Sequence, residues 1–140
     1  MGSNLPDGPD KLAQAARRIA ALADGELLLS TLLLTEPVDF PWPCRFANQV
    51  AYCRTSLRRE SVVSALKDIE REAGRRAADK ALGIVRLDLD LLSYDGRVLR
   101  PTDWQRSYVR RAVDELSLQL SKRASSPTLS STSSASPEST

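Results

Sequence analysis

The sequence predicts an α+β domain in which an antiparallel sheet is packed with helices. Three observations carry that prediction. Apolar residues recur at helical spacing in some segments, they alternate or run together over strand lengths in others, and the two kinds are interleaved along the chain.

The first helical segment places Leu12, Ala15, Ala16, Ile19, Leu22 and Ala23 on one face, with Asp10 as its cap and Gly25 as its stop. Glu26 to Thr35 is strongly apolar and of strand length. Asp39-Phe40-Pro41-Trp42-Pro43 is a loop, because prolines so close together deny both helix and sheet ladders. Arg45 to Thr55 is a strand whose even-numbered face carries Phe46, Asn48, Val50 and Tyr52. A second helix, from Arg59 to Ala73, buries Val62, Val63, Leu66, Ile69 and Ala73, and Gly74 stands where a left-handed cap is expected. Ile84 to Tyr94 alternates with Val85, Leu87, Leu89 and Leu91 inward, and Asp95-Gly96 is a turn. A last helix begins near Asp103 and carries Trp104, Tyr108, Ala112 and Leu116 on one face. This order needs one more strand in front to give the split βαβ, ferredoxin-like sandwich with a third helix. The first strand is therefore expected to be missing or truncated.

A length of 140 residues suits one domain. Residues 1–123 form it, and residues 124–140, almost wholly Ser, Thr, Pro and Ala, form a tail too polar to offset its conformational entropy. That tail is expected to be disordered. The net charge of +2 provides no global field that would demand nucleic acid or a membrane surface. The apolar run from Leu27 to Leu34 is interrupted by Ser30 and Thr31 and is too short to span a bilayer. Cys44 and Cys53 match no zinc spacing, and with no export signal ahead of them they are expected to be thiols in a reducing cytoplasm. Histidine is absent, which excludes Ser–His and Cys–His nucleophile pairs and imidazole metal sites. No Gly-x-x-x-x-Gly-Lys-Ser/Thr loop is present, so ATP chemistry here is not of the P-loop kind.

Arg86-Leu87-Asp88-Leu89-Asp90 is the most informative stretch. Alternate residues of a strand share a face at a spacing of about 6.5–7 Å, so Arg86, Asp88 and Asp90 are expected to project together while the leucines fill the core. Carboxylates held that way repel each other, and a hard cation such as magnesium removes the cost while taking its other oxygens from phosphate and water. An amphipathic strand with a charged outer face would carry the same residues. Glu70 on the second helix leads into Gly74-Arg75-Arg76, where arginine forks could grip a triphosphate, or simply complement the helix dipole. Phe46 and Asn48 share a face and offer a ring and an amide to a flat heterocycle, although a half-buried strand would look the same.

In order and spacing the chain resembles the 6-hydroxymethyl-7,8-dihydropterin pyrophosphokinase family. The resemblance rests on Gly2-Ser3-Asn4-Leu5, Thr35-Glu36-Pro37-Val38, Phe46-Ala47-Asn48, Ile69-Glu70 with Gly74-Arg75, Leu87-Asp88-Leu89-Asp90, and Arg106-Ser107-Tyr108. It implies transfer of diphosphate from ATP to a pterin alcohol, with Asp88 and Asp90 binding two magnesium ions. It further implies that Thr35, Val38 and Asn48 line the pterin pocket and that Phe46 and Tyr108 sandwich the ring. Glu70 would serve the nucleotide site, and Arg75 and Arg106 would contact phosphates, with Arg75 counted as catalytic alongside the aspartates. The partners implied are the pterin and ATP, not nucleic acid or membrane, acting on a monomer.

The departures from the family pattern are specific. Its members open with a short apolar strand directly before Gly-Ser-Asn, where this chain has Met1, and the expectation is a start codon placed too late. Leu82-Gly83-Ile84-Val85 stands in place of Trp-Gly-Pro-Arg, so Val85 replaces a phosphate-gripping arginine and Arg86 is the candidate substitute. Ala77 replaces a second loop arginine, and Leu99-Arg100 replaces Pro-His. These losses lie on the ATP side, and they keep open a catalytically weak pterin- or nucleotide-binding homologue.

Overall fold

Proline has no amide hydrogen to leave unsatisfied, so Pro9 opens a helix rather than breaking one. In the computed structural model, which describes residues 1–35, 45–74, 76–124 and 138–139, helix α1 accordingly spans Gly8–Ala20 with Asp7 at its cap. Asp10 lies inside the first turn, where its charge meets the positive helix end. Leu12, Ala15, Ala16 and Ile19 are buried as their spacing predicts, but the helix stops before Leu22 and Ala23.

The apolar stretch from Glu26 to Thr35 is not one strand. It forms β2 (Leu28–Leu29) and β3 (Leu33–Thr35), and the segment facing it divides likewise into β4 (Phe46–Asn48) and β5 (Ala51–Cys53). Ser30 is the joint. Its amide donates to the Val50 carbonyl at 2.9 Å, and its buried hydroxyl accepts from the Val50 amide at 2.9 Å. A side chain thus takes a backbone position in the ladder, which period-two reading cannot anticipate.

Helix α2 spans Arg59–Glu72, and Gly74 follows with φ +93°, the left-handed stop the sequence predicts. Its buried stripe is Val62, Leu66, Ile69 and Glu70, whereas Val63 is exposed. After a 3-10 turn at Ala77–Asp79 the chain runs extended to β6 (Ser93–Tyr94), and Asp95-Gly96, both at positive φ, turn it into β7 (Arg97–Val98). Alternation holds through Leu87, Leu89 and Leu91, then fails, because Leu92 and Ser93 are buried as well. The last helical region is two helices, a short α3 (Pro101–Trp104) and a long α4 (Ser107–Ala124), with Val109, Ala112 and Leu116 buried.

Gly2–Ser3 form β1, so the first-strand position is held by two residues. All paired strands are antiparallel, in the orders β1-β4-β3 and β2-β5-β8-β6-β7, where β8 is Glu138–Ser139. Helices and antiparallel sheet mix as the α+β class requires. One sheet face packs Ala47, Ala51, Cys53, Leu87, Leu89 and Leu91 against α1 and α2. Leu28, Val50 and partly buried Tyr52 on the other face meet Ala112, Leu116 and Leu120 of α4. Glu115 accepts from the Thr31 amide at 3.0 Å and Gln119 donates to the Leu29 carbonyl at 3.2 Å, which fixes the lie of α4.

Most of the Ser-rich tail lies outside the described residues, as do Cys44 and the loop from Asp39 to Pro43. Within the tail, however, β8 pairs with both β5 and β6. The physical reason is that ladder pairing needs only backbone donors and acceptors, whereas composition reports apolar burial.

Candidate active site

Sheet register builds the site. Gly2 pairs with Asn48 on one side and bridges Asp88 on the other. The Gly2 amide donates to the Asp88 carbonyl at 2.9 Å, and the Asp88 amide donates to the Gly2 carbonyl at 2.8 Å. Directly paired residues project from the same face, so Asn48 of β4, Gly2 of β1 and Asp88, bridged from an extended segment, form a row about 10 Å wide. The middle member has no side chain. The row is therefore a hollow with an amide at one end and a carboxylate at the other. A Cβ at Gly2 would stand 3.4 Å from Asn48 Oδ1.

Each end of the hollow is fixed by its neighbours. Asn48 Nδ2 donates to Thr35 Oγ1 at 2.5 Å and to the Phe46 carbonyl at 3.2 Å, which leaves its Oδ1 turned toward Gly2. Asn4, next along from β1, ties down the approach to the aspartates: its Oδ1 accepts from the Val85 amide at 2.7 Å and its Nδ2 donates to the Gly83 carbonyl at 2.8 Å. The Gly-Ser-Asn stretch thus has a stated mechanical task, joining two distant segments of the chain.

Asp88 is exposed and Asp90 half-buried. Burial, and then the charge of Asp88, push the Asp90 carboxyl above the usual aspartate value of 3.8. Arg100 opposes this, with its guanidinium 3.7 Å from Asp90. Arg100 is in turn held by Asp103 at 2.7 Å, which also accepts from Arg106 at 3.2 Å. Burial acts to raise the Asp103 carboxyl, but these arginine hydrogen bonds prevail and hold it below its ordinary value. Tyr108, half-buried at the start of α4, has its phenol raised by burial, while Arg106 pulls it down and Asp103, Asp88 and Asp90 push it up.

Thr35, Phe46, Asn48, Asp88, Asp90, Arg106 and Tyr108 are thus gathered at one end of the sheet. Val38 and Arg75 lie outside the described residues. Arg86 does not join the aspartates. A bend at Arg86 breaks the strand period, and its guanidinium forks onto buried Asp79, with Nε to Oδ2 at 3.0 Å and a second nitrogen to Oδ1 at 3.3 Å. The Asp79 carboxyl is held below its usual value by the Arg76 amide first and by Arg86 second. Glu70, expected at the nucleotide site, is buried at 4 % exposure, and its Oε2 accepts from the Leu89 amide at 2.7 Å.

A groove of about 370 Å³ between α2 and residues 89–91 adjoins Asp90, lined also by Arg59, Val63, Lys67, Leu91 and Arg100. Helical spacing predicts a buried Val63, which is instead exposed in this groove, and no motif of the sequence marks Arg59 or Lys67. One signal was present: the Arg100-x-x-Asp103-x-x-Arg106 spacing puts an acid between two bases on consecutive turns. Among the described residues no group of three or more His, Cys, Asp or Glu side chains could hold a metal ion by itself.

A family model described as 7,8-dihydro-6-hydroxymethylpterin-pyrophosphokinase (HPPK) matches residues 1–118. The chain belongs to this family. A 2-amino-4-hydroxy-6-hydroxymethyldihydropteridine pyrophosphokinase of Porphyromonas gingivalis is 29 % identical over 141 aligned positions, covering 92 % of this chain and 95 % of its own length. The same figures hold for the protein of that name in a second strain. A folate synthesis bifunctional protein of Arabidopsis thaliana is 29 % identical over 124 positions, which cover 83 % of this chain and 26 % of that protein. The HPPK match takes in β1 through most of α4 and therefore every residue of the hollow, the aspartate pair and the arginine cluster.

Proposed function

We propose that this chain transfers the terminal diphosphate of ATP to the hydroxymethyl group of 6-hydroxymethyl-7,8-dihydropterin, releasing AMP, on a ferredoxin-like sandwich. As a member of its family the chain is a pyrophosphokinase of folate synthesis. The observation that carries the residue assignments is the row Asn48, Gly2, Asp88, because it sets a flat hollow directly beside the aspartate pair.

Asn48 offers an amide edge to the pterin, with Thr35 holding its orientation and Phe46 and Tyr108 supplying ring faces. The hydroxymethyl end then points along the row to Asp88 and Asp90. Two carboxylates on one face, one of them with its proton affinity raised by burial and then by the other's charge, fit a divalent cation, which takes its remaining oxygens from phosphate and water. When bound, two magnesium ions held by Asp88 and Asp90 would neutralise the charge of the transferring phosphates. The chain's own part is positioning. The attacking alcohol and the β-phosphorus are brought into line, so a histidine base is not required.

The nucleotide belongs in the groove beside Asp90, where Arg59, Lys67 and Arg100 concentrate positive charge and Val63 offers apolar surface. Arg106, held beside Arg100 by Asp103, completes the phosphate side. Val85 and Ala77 occupy positions where the family pattern places arginines, so turnover is expected to be slower than in a relative that keeps both. The working unit is a cytoplasmic monomer. Among the described residues no helix is long and apolar enough to cross a membrane.

The test is to mix the pterin alcohol, ATP and magnesium with the protein and quantify AMP. Pterin-dependent AMP release that vanishes in Asp90→Ala, with circular dichroism unchanged, is the expected result. Absence of AMP from the parent protein would overturn the assignment.

A further inference from the structure

Glu70 occupies the fourth position of a buried stripe, after Val62, Leu66 and Ile69, where a leucine would serve α2 equally well. A carboxylate there needs a physical account, because burying one without hydrogen bonds is costly. Register supplies it. Asp88 turns its amide and carbonyl toward Gly2, so its neighbour Leu89 must turn its amide the opposite way, to the outer edge of the extended segment. Among the described residues no backbone acceptor of a named strand meets that amide; Glu70 Oε2 does, at 2.7 Å. The short distance is that of a charge-assisted hydrogen bond.

We propose that Glu70 is a positioning residue: from α2 it locks the peptide between Asp88 and Asp90 and thereby sets the spread and aim of the two carboxylates. The inference rests on the proposed metal role of those aspartates, but its central claim concerns the backbone and is measurable without turnover. Leu89 is the one residue lying between the pair, and its amide belongs to the Asp88–Leu89 peptide, so this acceptor fixes the plane that leaves Asp88 and the starting point of the step to Asp90. The groove beside Asp90 is lined by Leu89 as well, which places the lock at the border of the candidate nucleotide site without touching it.

Two substitutions separate positioning from direct contact. Glu70→Gln retains an acceptor oxygen and removes the charge; Glu70→Ala removes both. Amide hydrogen exchange at Leu89 should rise about 10- to 100-fold in Glu70→Ala and remain near the parent value in Glu70→Gln. In the AMP assay Glu70→Ala should need several-fold more magnesium for half-maximal rate with little change in KM for ATP, and Glu70→Gln should restore the parent magnesium dependence. Unchanged exchange at Leu89 in Glu70→Ala would overturn the lock. So would a Glu70→Gln variant as impaired as Glu70→Ala, since the charge rather than the acceptor would then be at work. A parent protein that makes no AMP would refute the proposed reaction while leaving the exchange result to decide the lock.

Discussion

The two halves of the site are held in different ways. On the proposed pterin side Asn48, Gly2 and Asp88 are placed by backbone ladder bonds, and the side-chain tie from Asn48 to Thr35 stays within neighbouring strands. On the proposed phosphate side the cations depend on a side-chain partner, Arg100 and Arg106 both resting on Asp103, while Arg86 is drawn away to Asp79. Ladder bonds tolerate substitution of everything but the site residue itself. Long flexible arginines can exchange partners, and a family can lose or relocate them with less damage to the fold.

The contrast is easiest to break at the aspartates, where both halves meet. Asp90→Asn should lower kcat by at least about a hundredfold, the scale of removing one stabiliser of transition-state charge. The same change should raise the melting temperature of the metal-free protein. Asp90 has a folded pKa above its unfolded value, so the folded state holds the extra proton and stability falls as pH rises beyond 3.8. An amide removes that loss. A melting temperature that falls in Asp90→Asn, measured by scanning calorimetry without magnesium, would contradict the burial and repulsion inferred here.

Gly2→Val comes next. It fills the middle of the row, close to Asn48 Oδ1, and should raise KM for the pterin about 10- to 200-fold while leaving ATP binding intact. Asn48→Ala should raise the same constant by about 5- to 100-fold, the loss of one or two buried hydrogen bonds, again with ATP titrations unmoved. Equal effects on both substrates from either variant would dissolve the division into halves. The smallest effect on turnover is expected from Arg86→Ala. It leaves Asp79 without its fork, so the melting temperature should drop, whereas KM for ATP should stay within about twofold. A large rise in KM for ATP with unchanged melting would return Arg86 to the phosphate side.

Several features were legible because they depend on neighbours in the chain. Leu87, Leu89 and Leu91 are buried and Asp88 is exposed, as a two-residue period dictates. Gly74 and Asp95-Gly96 adopt the positive φ that their residue types favour. The α1 stripe follows helical spacing, although its end was placed too late because Leu22 and Ala23 continue the pattern beyond the last helical residue. Ser30 was illegible. Nothing local says that a hydroxyl will accept a ladder bond from Val50.

By itself, then, the sequence determined which residue types share a face, where the chain turns, and that two carboxylates two residues apart would stand on an extended segment between buried leucines. Only the tertiary structure decided what faces them. The hollow exists because β1 comes between β4 and Asp88, a register set by contacts between segments more than forty residues apart in sequence. Arg86 was diverted to Asp79, and Glu70 was drawn inward to Leu89, because a buried polar group takes whichever partner the packed chain brings within reach. Periodicity constrains direction along one element; partnership between elements depends on how they pack.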